Sequence, residues 1–149
     1  MSVRLTFDPF DAGALLTAFC KGRTEVGAVA TFTGIARAEA GSTTVLELEA
    51  YPGFTEAEID KVAGQAKVRF GIDDFLILHR VGRIAPGEAV VFVATAARHR
   101  REAFEACDFL MDYLKSQAPF WKKEHGPDGA RWVEPRPEDH ADLARWESR

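Results

Sequence analysis

Residues 115–124 read Lys-Ser-Gln-Ala-Pro-Phe-Trp-Lys-Lys-Glu. Lysines at 115, 122 and 123 flank two aromatics, Phe120 and Trp121, whose backbone entry is fixed by Pro119. An ammonium beside apolar bulk loses hydration. Its pKa falls, and the amine becomes usable as a base or a nucleophile. Lysines that keep their charge form an anion clamp. In either state the segment points to chemistry on an anionic substrate.

Three places besides Lys115 concentrate polar groups at element ends. Phe32-Thr-Gly-Ile-Ala-Arg37 stops at Gly34 and delivers Arg37. Arg98-His-Arg-Arg101 stands where a very apolar run gives way to a helical pattern. A helix N-terminus presents free N–H groups and the positive end of its dipole, and arginines there add bidentate capacity for phosphate. Lys122-Lys-Glu124 is the third. Each of these residues also has a plainer reading. Lys115 suits the last turn of a helix as a cation, Phe120 and Trp121 suit a core, and Arg37, Arg98 and Arg101 suit a solvated surface. His99 suits a strand-end hydrogen bond, and His79-Arg80 reads as a satisfied structural pair.

The elements that must position these groups follow from periodicity and punctuation. Asp11 caps a short helix through about Lys21, with Leu15, Leu16, Phe19 and Cys20 inward. Residues 26–34 read as a buried strand, 38–43 as a polar loop and Thr44–Tyr51 as a second strand, before a turn at Pro52-Gly53. Thr55-Glu-Ala-Glu58 has the form of a capping box and opens a helix with Ile59, Val62, Ala63, Ala66 and Phe70 on one face, closed by Gly71. Phe75–Val81 and Glu88–Ala97 read as strands that pair as a hairpin around Pro86-Gly87. A helix from about Arg100 to Lys115 carries Phe104, Cys107, Leu110, Met111 and Leu114 as its core stripe. Beyond Pro119 the pattern reads as a loop, then a short strand at Arg131–Val133 and a helix near Pro137–Trp146. Strands and helices mix without regular βαβ alternation, which predicts the α+β class.

That last long helix sets a distance. Arg100 and Lys115 lie 15 residues apart, roughly 22 Å along a continuous helix. No small substrate bridges that gap within one subunit. If both ends serve one pocket, the pocket spans an interface of a homodimer, with His99 and Arg100 of one chain facing Lys115 and Lys122 of the other.

Composition narrows the class. The 149 residues predict a single domain with a real core. A net charge of −4 argues against non-specific nucleic-acid binding. No run approaches the roughly 20 apolar residues of a membrane span. The start, Met-Ser-Val-Arg-Leu-Thr-Phe-Asp, is not a signal peptide, which leaves the cytoplasm as the expected compartment. Cys20 and Cys107 stand outside any CxxC or Cys/His cluster and are expected to be buried thiols, not metal ligands or a disulfide. No GxGxxG, P-loop, GxSxG or HExxH motif is present. A binding module for a phosphorylated metabolite would explain the arginines and the dimer, but not the lysines paired with Phe120-Trp121.

At these residues the chain resembles the large, catalytic subunit of molybdopterin synthase. The matching pieces are Phe32-Thr-Gly-Ile-Ala-Arg37, Tyr51-Pro-Gly53, His79-Arg-Val-Gly82, Pro86-Gly-Glu88, His99-Arg100 with Ala103-Phe104, Met111-Asp-Tyr-Leu-Lys115, Ala118-Pro-Phe-Trp-Lys-Lys-Glu124 and Arg131-Trp-Val133. They run in family order over about residues 26–136. The resemblance implies a fold of the α/β-hammerhead type, with a mixed antiparallel sheet and flanking helices. It implies an enzyme that turns cyclic pyranopterin monophosphate into the molybdopterin dithiolene, with sulfur from the C-terminal Gly-Gly thiocarboxylate of a small ubiquitin-like subunit. It further implies a central homodimer within a heterotetramer, and no metal or cofactor for this step. Carried over residue by residue, Arg37, His99 and Arg100 match anion and pterin contacts, and Lys115 and Lys122 match the essential lysines. Ile35, Ala36, Lys123 and Glu124 fall within matching binding segments. Ala36 and Phe54 depart slightly from the family pattern, at positions without a charged role.

Overall fold

The computed structural model describes residues 1–38 and 44–149. The polar loop expected at 38–43 therefore lies, beyond residue 38, outside the described residues. Among the described residues, eight strands form two four-stranded sheets, and four α-helices pack around them. In the first sheet the order is β1 (Ser2–Thr6), β4 (Asp74–Arg80), β6 (Ala89–Ala97), β2 (Ala28–Ile35). β1 runs parallel to β4; the other pairs are antiparallel. The second sheet has the order β5 (Gly82–Ile84), β3 (Val45–Ala50), β7 (Phe120–Gly126), β8 (Gly129–Val133), all antiparallel. The α+β class and the flanking helices are as expected.

The two long helices cover one face of the first sheet. In α2 (Phe54–Phe70), Ile59, Ala63 and Ala66 are fully buried; in α3 (Arg100–Ser116), Ala103, Ala106, Leu110 and Met111 lie against Ile77 and Val93. The opposite face packs Leu76, Leu78, Phe92 and Ala94 against Phe19 of α1 (Ala12–Cys20). A smaller cluster of Ala36, Leu48 and Ile84, with Phe120 beside it, joins the two sheets. Burial on both faces gives β6 its apolar run, interrupted only by Thr95, whose hydroxyl donates to the Ala103 carbonyl at 2.7 Å.

Several local expectations are corrected. Cys20 is exposed and only Cys107 is buried; Leu16 also faces out, because α1 ends at Cys20 and presents a narrow inward stripe. Phe104 is 64% exposed, and the small Ala103 and Ala106 take the inward positions of α3. α2 starts two residues early. Gly53, at φ 82°, is its N-cap, and the Glu56 carboxylate accepts from the Gly53 N–H at 2.9 Å, so Thr55 is freed for another role. β4 and β6 do pair, but between them Gly82 at φ 80° swings the chain into β5 of the other sheet. β7 was expected as loop and is a central strand. The last helix is α4 (Pro137–Ala144), continued by a 3₁₀ turn at Arg145–Ser148.

Candidate active site

A cleft of about 460 Å³ opens where the two sheets meet the C-terminal end of α3. Three elements deliver Arg37, Lys115 and Lys122. β2 ends in a bulge between Gly34 and Ile35, which breaks the ladder and re-aims Ile35, Ala36 and Arg37 into the cleft wall. Gly34 leaves room for the buried Val91: a Cβ there would stand 2.8 Å from Val91 Cγ1 and force it to shift. The Ala36 backbone is pinned by its N–H to the Glu88 carbonyl and its carbonyl from the Gly87 N–H. α3 contributes Lys115 from its last turn, above Met111 and Leu114. β7 contributes Lys122 and Glu124 from one face of the strand.

The lysines differ in setting. Lys115 is exposed. Lys122 is partly buried, and its amine is pushed down to about 8, first by burial and then by the Lys115 ammonium, with the Asp139 carboxylate pulling the other way. It is therefore mostly protonated at neutral pH and releases a proton far more readily than an ordinary lysine. Asp139 on α4 lines the cleft with Arg136. Burial favours its neutral form, but hydrogen bonds and charge from Arg136, and the Lys115 ammonium, hold its carboxyl below the usual range. Ser116 Oγ donates to the Asp139 carbonyl at 2.8 Å and ties this arm to α3.

Of the residues singled out from sequence, Ile35, Ala36, Arg37, Lys115, Lys122 and Glu124 share this cleft. Glu124 accepts from Arg131 of β8 at 3.0 Å. Lys123 points to the other face of β7, with its ammonium 4.8 Å from the Trp132 ring centre. His99 and Arg100 do not reach the cleft of their own chain. They are exposed at the opposite end of α3, which runs unbroken from Arg100 to Ser116. Sequence reasoning missed His79, Glu134, Pro135, Arg136 and Asp139 as lining residues. His79 carried a signal, a polar residue in an apolar strand; the other four lie in a stretch whose only visible pattern is a helix start. Among the described residues, no group of three or more His, Cys, Asp or Glu side chains is placed to hold a metal ion.

A second groove, about 680 Å³, lies on the far side of Lys122. Both hollows share Lys122, Val133, Glu134 and Pro135 as a common wall. The second is lined by Tyr51, Trp121 and Trp132; the two tryptophan rings meet edge to face, and Trp121 Nε1 donates to the Tyr51 hydroxyl at 2.7 Å. Trp121 and Trp132 are each more than half exposed, and Phe54 extends the aromatic surface.

Comparison with known proteins agrees with this architecture. A molybdopterin synthase catalytic subunit from Caulobacter vibrioides is 66% identical over 147 residues, covering 99% of this chain and 98% of that protein. One from Rhizobium meliloti is 48% identical, covering 100% and 97%. Among solved structures, a molybdopterin biosynthesis MoaE protein from Burkholderia ambifaria MC40-6 superposes with a TM-score of 0.84 at 46% identity, covering 98% of this chain and 97% of that one. The family model of the MoaE protein matches residues 5–117, from within β1 to the C-cap of α3. On a match of that extent, with relatives aligned end to end, this chain belongs to the MoaE protein family.

Proposed function

We propose that this chain is the catalytic subunit of a molybdopterin synthase. It moves sulfur from the thiocarboxylated C-terminus of a small ubiquitin-like carrier to cyclic pyranopterin monophosphate, building the dithiolene, in the cytoplasm. The observation that carries this reading is the meeting of Arg37, Lys115 and a proton-labile Lys122 in one cleft sized for a small molecule. The substrate phosphate rests on Arg37, with His99 and Arg100 supplied by a second copy of the chain. Lys115 serves as acid and base at the reacting carbons. Lys122 meets negative charge as it develops and can return the proton it gives up. Ile35, Ala36 and Glu124 shape the cleft around the pterin; Lys123 acts on the outer face of β7 instead.

The aromatic groove supplies the other reactant. Tyr51, Trp121 and Trp132 offer a surface to the carrier, whose slim Gly-Gly end can pass the shared wall at Lys122 in extended form. Because α3 is continuous, the second copy must lie with its α3 N-terminus at this cleft. Phe32, Ile35 and Phe104, all exposed, are the apolar groups available to such a contact.

The test is direct. The protein is mixed with thiocarboxylated carrier and cyclic pyranopterin monophosphate, and the dithiolene product is measured. Product at a rate that depends on Lys115 supports the assignment. Substrate binding with no product over many carrier equivalents sinks it.

A further inference from the structure

The cleft has a buried imidazole that the proposed reaction leaves unused. His79 is 5% exposed and lines the cleft from β4. Its Nδ1 lies 2.8 Å from the Arg80 carbonyl, which can only accept, so Nδ1 carries the proton and Nε2 the lone pair. The ring is neutral at working pH: burial first, then the charges of Lys122 and Lys115, push it down to about 4. It stacks on Phe120 with ring centres 4.2 Å apart and planes at 27°. Phe120 opens β7 opposite Ala50, two residues before Lys122 and on the same face of the strand. Phe120 also packs against the cores of both sheets.

We propose that His79 is a positioning residue for Lys122: a flat, uncharged ring that seats Phe120, fixes the start of β7 and keeps water from beneath the Lys122 ammonium. An aliphatic side chain would not match the Phe120 face, and a permanent cation would repel the lysine pair. The imidazole offers a flat face and, through Nδ1, donates to the Arg80 carbonyl. The charged groups lining the cleft around Lys122 are Lys115 from α3, Arg37 beyond β2, Glu124 on β7, and Glu134, Arg136 and Asp139 from the C-terminal arm. None of these needs to move when His79 is changed.

This inference rests on the proposed function only in giving Lys122 work to do, and its first readout is independent of catalysis. The whole protein, labelled with ¹³C at lysine Cε, is titrated by NMR, with Lys122 assigned through Lys122→Arg. His79→Ala raises the Lys122 midpoint by about one unit or more, toward the ordinary 10.5. His79→Phe, which keeps a ring against Phe120, leaves it near the wild-type value. If His79→Ala does not fold, His79→Gln takes its place, keeping a donor for the Arg80 carbonyl without the ring. An unchanged midpoint in a folded ring-less variant overturns the proposal, as does a His79→Phe midpoint shifted as far as the ring-less one. In sulfur transfer, the alkaline limb of kcat/KM follows the same order. If the NMR shift is seen while wild type makes no dithiolene, the functional reading fails and the positioning role stands.

Discussion

The Thr55 hydroxyl donates to the Pro119 carbonyl at 3.1 Å and accepts from the Tyr51 N–H at 2.8 Å. One fully buried side chain thereby ties the end of β3 and the first turn of α2 to the residue that launches β7. It is a joint between the helical layer and the strand that carries Lys122.

Thr55→Val therefore leaves a part-buried carbonyl and a backbone N–H without their partner, at a cost of about 1 kcal/mol. Thr55→Ser keeps both bonds and recovers most of that loss. Urea unfolding checks it: the valine variant has a lower midpoint at unchanged slope.

The role proposed for Lys122 predicts an alkaline limit to the reaction. The Lys122 ammonium is lost as pH rises through about 8, so kcat/KM declines above that pH. Lys122→Arg keeps the charge but cannot yield a proton, so it flattens the limb at a low rate. Lys122→Ala lowers kcat by about 10²-fold or more. Stability has its own sign. Between the folded value near 8 and the ordinary 10.5, the unfolded chain binds more protons than the folded one, so stability rises with pH across that window. Lys122→Met removes this rise, which unfolding midpoints measured from pH 8 to 10.5 will show.

His99 and Arg100 predict a complementation experiment. Arg100→Ala and Lys115→Ala are each expected to abolish sulfur transfer. A dimer of one variant with the other has one site carrying both lesions and one site carrying neither. After unfolding and refolding an equimolar mixture, about one quarter of wild-type activity returns, since half the dimers are mixed and each has one sound site. If the mixture stays inactive while mixed dimers are shown to form, the second copy does not complete the cleft.

The C-terminal arm separates packing from surface charge. Arg145 bridges Asp108 at 2.6 Å and Asp112 at 2.9 Å, and Trp146 Nε1 donates to Asp112 at 2.6 Å. Trp146 is 3% exposed and packs edge-on to Phe70 and Phe109. Arg145 and Asp108 are largely solvated, so Arg145→Ala costs under about 1 kcal/mol. Trp146→Ala costs about 3–5 kcal/mol. Because α4 carries Asp139 into the cleft, the tryptophan variant also raises KM. Thermal unfolding and substrate saturation curves check the contrast.

Long, strongly patterned segments were legible in the sequence. The inward face of α2, most of the α3 stripe and the apolar β4 and β6 follow from periodicity, and Lys115–Glu124 supplies three residues of the cleft, Lys115, Lys122 and Glu124. The failures have physical causes. β1 and β5 are short and draw their support from distant partners, β1 from parallel pairing with β4. β7 hides because its two faces are both partly polar, so Lys122-Lys123-Glu124 looks like loop although each residue is laddered to β3. Phe104 and Cys20 fit the apolar pattern of their helices yet face out, because Ala103, Ala106 and Phe19 already fill the space beneath. His79 was read as structural, which its bond to Arg80 bears out; its place in the cleft depends on β7 coming to lie over it.

The two faces of β7 carry different tasks: Phe120, Lys122 and Glu124 share the face that meets His79 and the cleft, with Phe120 and Lys122 also reaching the aromatic groove, and Trp121 and Lys123 share the other face, beside Trp132. Such a strand has no spare face on which a frame error could hide. Sliding it by one residue would send Trp121 and Lys123 inward and expose Phe120 and Lys122, erasing both surfaces at once. Insertions and deletions along this lineage should therefore gather at the Pro127-Asp128 tip, and the strand itself should change only by substitution.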